Sequence, residues 1–375
     1  MTPDQILGLL YQQAQQGGMQ SVMIASHIFE KIELVSMNIQ NRAGVRLILA
    51  CALAKVYDPS IDIRKPYTEI GDMDSYSGRA YDERYIAPFI IQYQLPCNPT
   101  TAFLTPALRN RNTVLTPDLN LSGRPREVYQ ACLELLNHVY QHDLTANDLL
   151  KEIIRQLIVL RDQKQQRMES LLANLQSNRM DRQISVEQII SLISQHLSTK
   201  GSSRLPVLLV MAAYLTVSPV LQEHPLPLEA HQSADSQTKS LGDVQITLIN
   251  DERIITCYEM KHRRVTITDL DLAVQQKISA ISYPLDNYVF ITTDIIDPLV
   301  DSYAKKMFEM IGVEVTILDC IQFVRHFLYL FYRQRVVFLN MYQQLVLAEP
   351  DSAVSQPVKE VFLSLRHALE SNSLE

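Results

Sequence analysis

Three residues in the second half of the chain have types and spacing that could do chemistry together: Asp243, Glu259 and Lys261. Asp243 opens an apolar run within Gly242-Asp243-Val244. After a turn at Asn250-Asp251-Glu252, a second run ends in Tyr258-Glu259-Met260-Lys261. On a strand, side chains alternate between faces, so Glu259 and Lys261 share one face roughly 7 Å apart. Two carboxylates on adjacent strands can hold a hard divalent cation such as Mg2+, with the Met260 carbonyl as a further oxygen ligand. Lys261 can then orient or deprotonate a water, or stabilise negative phosphate oxygens. That is the chemistry of phosphodiester hydrolysis. The same residues also read as a solvated strand face with a surface ion pair. Polar groups ending otherwise apolar strands are costly without partners, which favours a site.

The elements that must position these residues follow from periodicity. Residues 244–249 and 254–261 read as the two arms of a hairpin. They lead into a helix at 269–282, a strand at 288–293, a helix at 298–311, a strand at 313–318 and a long helix at 320–347. A hairpin running into βαβ-like crossovers indicates a mixed β-sheet flanked by helices. Upstream, helices are expected at 186–197 and at 205–217, the second apolar on nearly every side, followed by a polar loop at 218–240. The first half is largely helical: a segment from Thr2 to the Gly17-Gly18 stop, then 21–34, 43–56, 127–140 and 147–178, with a loop-rich stretch over 58–125. A polar link at 176–183 divides a helical region, 1–180, from an α/β (α+β) domain, 181–348. A tail with one short helix, 358–369, completes the chain.

Composition narrows the classes. With 47% hydrophobic residues and 10 Gly among 375, the chain is that of a folded protein rather than a disordered one. Five cysteines lie far apart with no CxxC pair, which suits a reducing cytoplasm and argues against a zinc site or a disulfide framework. No basic-then-apolar leader is seen, and the longest apolar stretch is too short to cross a bilayer. A cytoplasmic protein without a membrane partner is expected.

A net charge of −7 gives no global nucleic-acid signature, so local charge is the guide. Between residues 104 and 126 stand Arg109, Arg111, Arg124 and Arg126 against Asp118 alone. Arg109, Asn110, Arg111 and Asn112 alternate the two residue types suited to bidentate contacts with guanine and adenine. Arg124 and Arg126, around Pro125, suit phosphate contacts or the capping of the next helix. The stretch Tyr76-Ser77-Gly78-Arg79-Ala80-Tyr81-Asp82-Glu83-Arg84-Tyr85 reads as a loop. There Arg79 or Arg84 could meet guanine edges or phosphates, or internal ion pairs could pin a charged turn. Glu187 is a possible extra metal-associated acid, although a first-turn acid favoured by the helix dipole explains it better. Gln275 and Gln276 could face the site but suit a solvated helix face. His262 points away from Lys261 on an ideal strand.

Gly242-Asp243-Val244 with Glu259-Met260-Lys261 resembles the active site of the PD-(D/E)XK nuclease superfamily, with Asp243 as its first acid and Gly242 where proline is often found. More closely, Ser203-Arg204-Leu205-Pro206-Val207-Leu208, the 76–85 stretch and Thr105-Pro106-Ala107-Leu108-Arg109-Asn110 resemble the SacI-like family of type II restriction endonucleases, over residues from about 40 to 345. The resemblance implies a restriction endonuclease-like core and Mg2+-dependent double-stranded DNA cleavage at a short palindrome, usually by a homodimer. It implies Asp243, Glu259 and Met260 as metal ligands, Lys261 as the catalytic amine, and Arg204 among the DNA contacts. A repair or junction-resolving nuclease is the neighbouring reading. A non-catalytic DNA-binding module on a nuclease-like fold is the distant one, and three intact site residues favour an enzyme over it.

Overall fold

The computed structural model describes residues 1–16, 24–98, 100–109, 111–177, 184–228, 240–283 and 285–371. The chain divides into two compact units, Met1–Arg167 and Met168–Glu375.

The first unit is helical: α1 (Pro3–Gln16), α2 (Ser26–Met37), α3 (Arg42–Tyr57), α4 (Gly78–Tyr81), α5 (Ala87–Gln92), α6 (Arg126–Tyr140) and the start of α7 (Ala146–Ser177). α3 lies at its centre, with every residue from Val45 to Ala54 buried. Its start is fixed by Asn41, whose side chain accepts hydrogen bonds from the Ala43 and Gly44 amides. Leu149, Leu150, Ile153, Ile154 and Leu157 of α7 recur at helical spacing and close the same core.

The stretch expected as a loop at 76–85 is mostly helix. Ser77 caps α4 through the Ala80 amide, and a π-helical turn (Asp82–Ile86) carries the chain into α5. Gly78 serves close packing rather than a turn. A Cβ there would stand 2.5 Å from Phe103 Cζ and 2.8 Å from Pro66 Cβ. Asp82 is buried and joined to Arg46 at 2.6 Å, an internal ion pair that ties this helix to α3.

The second unit is a mixed five-stranded sheet between helices. Its elements are α8 (Val186–Leu197), α9 (Leu205–Leu221), β1 (Glu223–Pro225), β2 (Val244–Leu248), β3 (Asp251–Lys261), α10 (Ile267–Leu272), β4 (Asn287–Thr292), α11 (Pro298–Ile311), β5 (Glu314–Asp319), α12 (Cys320–Leu330), α13 (Arg335–Ala348) and α14 (Gln356–Ser371). Strand order is β1-β2-β3-β4-β5. β1–β2 and β2–β3 pair antiparallel, β3–β4 and β4–β5 parallel. Parallel neighbours require crossovers, which α10 and α11 supply.

Alternation along the strands feeds two cores. Val244, Ile246, Tyr258, Val289 and Ile291 face α8, α9 and α12–α14. Cys257, Tyr288, Phe290, Val315 and Ile317 face the α10 and α11 side. Burial of each such aliphatic or aromatic side chain contributes about 1.5–3 kcal/mol.

Several boundaries differ from expectation for identifiable reasons. β1 lies in the expected loop at 218–240. It is a three-residue edge strand containing Pro225, too short for alternation to register. The helix expected at 320–347 is two helices, broken where Phe331 leaves helical geometry and a 3-10 turn, Tyr332–Gln334, follows. Arg335 anchors that break by bonding the Ile184 carbonyl. The helix expected at 269–282 begins earlier, under a Thr266–Asp269 capping box, and passes through a π turn (Ala273–Lys277) and a 3-10 turn (Ile278–Ala280). After residue 349, α14 packs Val358, Phe362 and Leu363 into the second unit's core. The five cysteines are free thiols. No helix among the described residues is long and apolar enough to cross a membrane.

Candidate functional site

β2 and β3 register with Val244 opposite Tyr258, and Asp243 lies in the bend just before β2, next to the end of β3. Asp243 is exposed, and its Oδ2 accepts a 2.7 Å hydrogen bond from the Met260 amide. A strand residue points its amide and carbonyl to the same side, so the Met260 carbonyl also faces the β2 arm.

Gly242 makes this approach possible. A Cβ at 242 would lie 2.7 Å from the Tyr258 carbonyl oxygen, on the backbone of the facing strand. Proline, like any residue with a Cβ, would push the two arms apart here.

Glu259 is the most heavily engaged member. Lys261 Nζ donates to Oε1 at 2.9 Å and Lys277 Nζ to Oε2 at 2.8 Å. The Tyr288 hydroxyl lies 3.3 Å from Oε2 and 3.0 Å from the Leu241 carbonyl. It has one hydrogen for two acceptors. Burial first, and then the nearby Glu259 charge, push the Tyr288 phenol far above its ordinary range, so it stays a donor. Burial likewise pushes the Cys257 thiol up to about 12, with Lys277 opposing and Glu259 reinforcing, so no thiolate forms beneath the site.

Lys277 and Tyr288 escaped the sequence reading. Lys277 had a signal: it falls seven residues after Leu270, on the apolar stripe marked by Leu270, Ala273 and Val274. Tyr288 had none, since only the parallel register that sets it beside Cys257 brings it under Glu259. The cluster lies where β3 ends, at the carboxyl edge of the parallel strands, the usual place for ligands in such sheets.

As a donor set, Asp243, Glu259 and the Met260 carbonyl are all hard oxygens. Among the described residues no group of three or more His, Cys, Asp or Glu side chains could hold a metal. Magnesium usually takes one or two carboxylates and completes its shell with water and phosphate oxygens. The hard oxygens present fit such an ion.

The remaining sequence candidates scatter. Glu187 is exposed and paired with Arg325 at 3.0 Å, which holds its carboxyl below the usual range. Gln275 and Gln276 are exposed on the π turn. His262 bonds the Ser203 carbonyl. Arg204 is buried, 6% exposed, and bonded to Glu349 at 3.1 Å, an ion pair within the second unit that leaves its guanidinium little access to DNA.

In the first unit, Arg79 and Arg109 share a cleft of about 300 Å³ with Glu69, Ser77 and Asn112. Arg79 also pairs with Glu83 at 2.7 Å, and Arg84 lies over the Tyr85 ring. Arg111 is half-buried and bonds the Ala107 carbonyl at 2.8 Å, which makes it a staple of its own loop. Arg124 and Arg126 are exposed at the start of α6. Asn110 lies outside the described residues.

Compared with known proteins, the chain matches no family model and no curated protein.

Proposed function

We propose that the second unit is a Mg2+-dependent nuclease domain of the PD-(D/E)XK type, and that the whole chain is a site-specific double-stranded DNA endonuclease of the type II restriction class, acting as a homodimer. The observation that carries this reading is the convergence of Asp243, just before β2 and bonded to the Met260 amide at 2.7 Å, on the end of β3, where Lys261 donates to Glu259 at 2.9 Å. A solvated strand face needs no such convergence. It also needs no glycine to let the arms close, nor a buried tyrosine beneath to donate to the acid.

In this reading Asp243, Glu259 and the Met260 carbonyl hold magnesium, which supplies Lewis-acid stabilisation and a more acidic water. Lys261 aligns that water or meets the developing charge on the phosphate oxygens. The Arg79 and Arg109 cleft, with Asn112, offers forked and amide donors of the kind that read base edges. Exposed Arg124 and Arg126 offer phosphate contacts.

The experiment is incubation of the purified chain with mixed plasmid DNA and Mg2+, resolved on a gel. Discrete, metal-dependent fragments support the full reading. A smear supports a nuclease without sequence specificity. Plasmid left intact in Mg2+ and Mn2+ overturns the enzymatic reading in favour of a DNA-binding module.

A further inference from the structure

Glu259 carries two ammonium groups from different elements. Lys261 shares its strand face, whereas Lys277 arrives from the π turn that follows α10. A carboxylate offers about four lone-pair positions. Lys261, Lys277 and Tyr288 take up three of them. A divalent cation added to this carboxylate would sit a few ångströms from both ammoniums. Like charges at that separation repel strongly even at the effective dielectric of a protein surface. One of them has to leave.

The geometry identifies which one. The Tyr288 hydroxyl touches both Oε2 of Glu259 and the carbonyl of Leu241, two residues before Asp243. Oε2 is therefore the oxygen turned toward the Asp243 arm, and it is the oxygen that Lys277 holds. An ion shared by Asp243 and Glu259 meets Lys277 in its place. Oε1, with Lys261, faces along the strand.

We propose that Lys277 is a counter-ion holding the metal's place on Glu259: in the metal-free protein its ammonium occupies Oε2, and a divalent cation binds as that ammonium moves to a phosphate oxygen of bound DNA. This inference rests on the metal-nuclease reading above. It makes metal binding and DNA binding mutually reinforcing, because each favours the state in which Lys277 has left Glu259. It also keeps the free protein poor in bound metal, so that cutting waits for substrate. The long lysine stem allows the exchange without movement of β3.

The test is a Mn2+ titration of the full chain without DNA, followed by the electron paramagnetic resonance signal of free Mn2+. Lys277→Met keeps the stem and removes the charge. It is expected to bind Mn2+ at least about tenfold more tightly than wild type, the equivalent of one charge-assisted hydrogen bond no longer competing. Lys277→Arg keeps a cation and is expected to show no tightening, which a merely structural role would not predict. Should Lys277→Met fail to fold, as judged by far-UV circular dichroism, Lys277→Gln carries the same test. Mn2+ affinity unchanged or weakened in a folded Lys277→Met overturns the proposal. If wild type still cleaves plasmid in Mg2+ in that case, only the counter-ion role falls. If wild type neither binds Mn2+ nor cleaves, the metal-nuclease reading falls with it.

Discussion

Replacing Gly242 with alanine adds one methyl group at the point where the hairpin arms come closest. The new Cβ would stand 2.7 Å from the Tyr258 oxygen, 3.3 Å from the Tyr258 carbonyl carbon and 3.4 Å from Cys257 Cβ. Two of these atoms are backbone and the third belongs to a fully buried side chain, so no flexible group can swing aside. Relief requires the arms to part by several tenths of an ångström beside the 2.7 Å bond between the Met260 amide and Asp243. Overpacking of this kind costs about 1–3 kcal/mol. Misplacing a catalytic group by about 1 Å costs on the order of a hundredfold in rate. Gly242→Ala is thus expected to weaken the second unit by about 1–3 kcal/mol and to slow cleavage by ten- to a hundredfold, roughly. Gly8→Ala is the control. Nothing lies within 4 Å of its added Cβ, and in the middle of α1 the change is expected to stabilise by about 0.5–1 kcal/mol. Urea unfolding with hydrogen exchange read segment by segment separates the two units. An unfolding midpoint and cleavage rate for Gly242→Ala equal to wild type would refute the close-approach argument.

Three further outcomes are expected. His196 is fully buried between the Tyr342 hydroxyl and the Val358 carbonyl, and burial lowers its pKa to about 4. Because the folded value lies below the ordinary 6.5, stability is fully present above pH 6.5 and is lost as pH falls toward 4, by roughly 3 kcal/mol at most. His196→Gln should flatten that part of the stability profile, and an unchanged slope between pH 6.5 and 4 would count against the argument. Lys261→Ala should slow single-turnover cleavage by at least about a hundredfold while Mn2+ still binds, with little rescue by Lys261→Arg. Cleavage within a few-fold of wild type would make Lys261 a surface residue. Arg124→Ala should weaken binding to all duplexes alike and shallow the salt dependence by about one phosphate, whereas Arg109→Ala should cost roughly 1–3 kcal/mol of discrimination at one base pair. Equal losses on every duplex from both changes would remove base reading from the Arg109 cleft.

What was legible in the sequence follows the range of the forces involved. Strand alternation and helical spacing are local, so β2 to β5 and the helices between them lie close to where periodicity puts them, with α11 matching its expected bounds. The β2–β3 hairpin itself was legible because a short turn joins two alternating apolar runs. Tyr288 was not, because a parallel crossover sets its position and leaves no spacing rule in the chain; Lys277 carried only the weak signal of a charge on the apolar stripe after Leu270. The helix at 78–92 was hidden because glycine and tyrosine read as turn formers. There the glycine answers to Phe103 and Pro66, residues distant in sequence. Arg204 entered only through the resemblance, and the ion pair with Glu349, distant in sequence, is visible in the tertiary structure alone.

The central claim is that Asp243 and Glu259 jointly hold a catalytic metal, and one measurement tests it most directly: Mg2+-dependent single-turnover cleavage by Asp243→Ala, with Mn2+ binding followed on the same sample. Asp243 is exposed and accepts a hydrogen bond from the Met260 amide at the surface, so the variant is expected to keep its fold and much of its DNA affinity. The account predicts that metal binding weakens and cleavage disappears together. Cleavage by folded Asp243→Ala within a few-fold of wild type would contradict it.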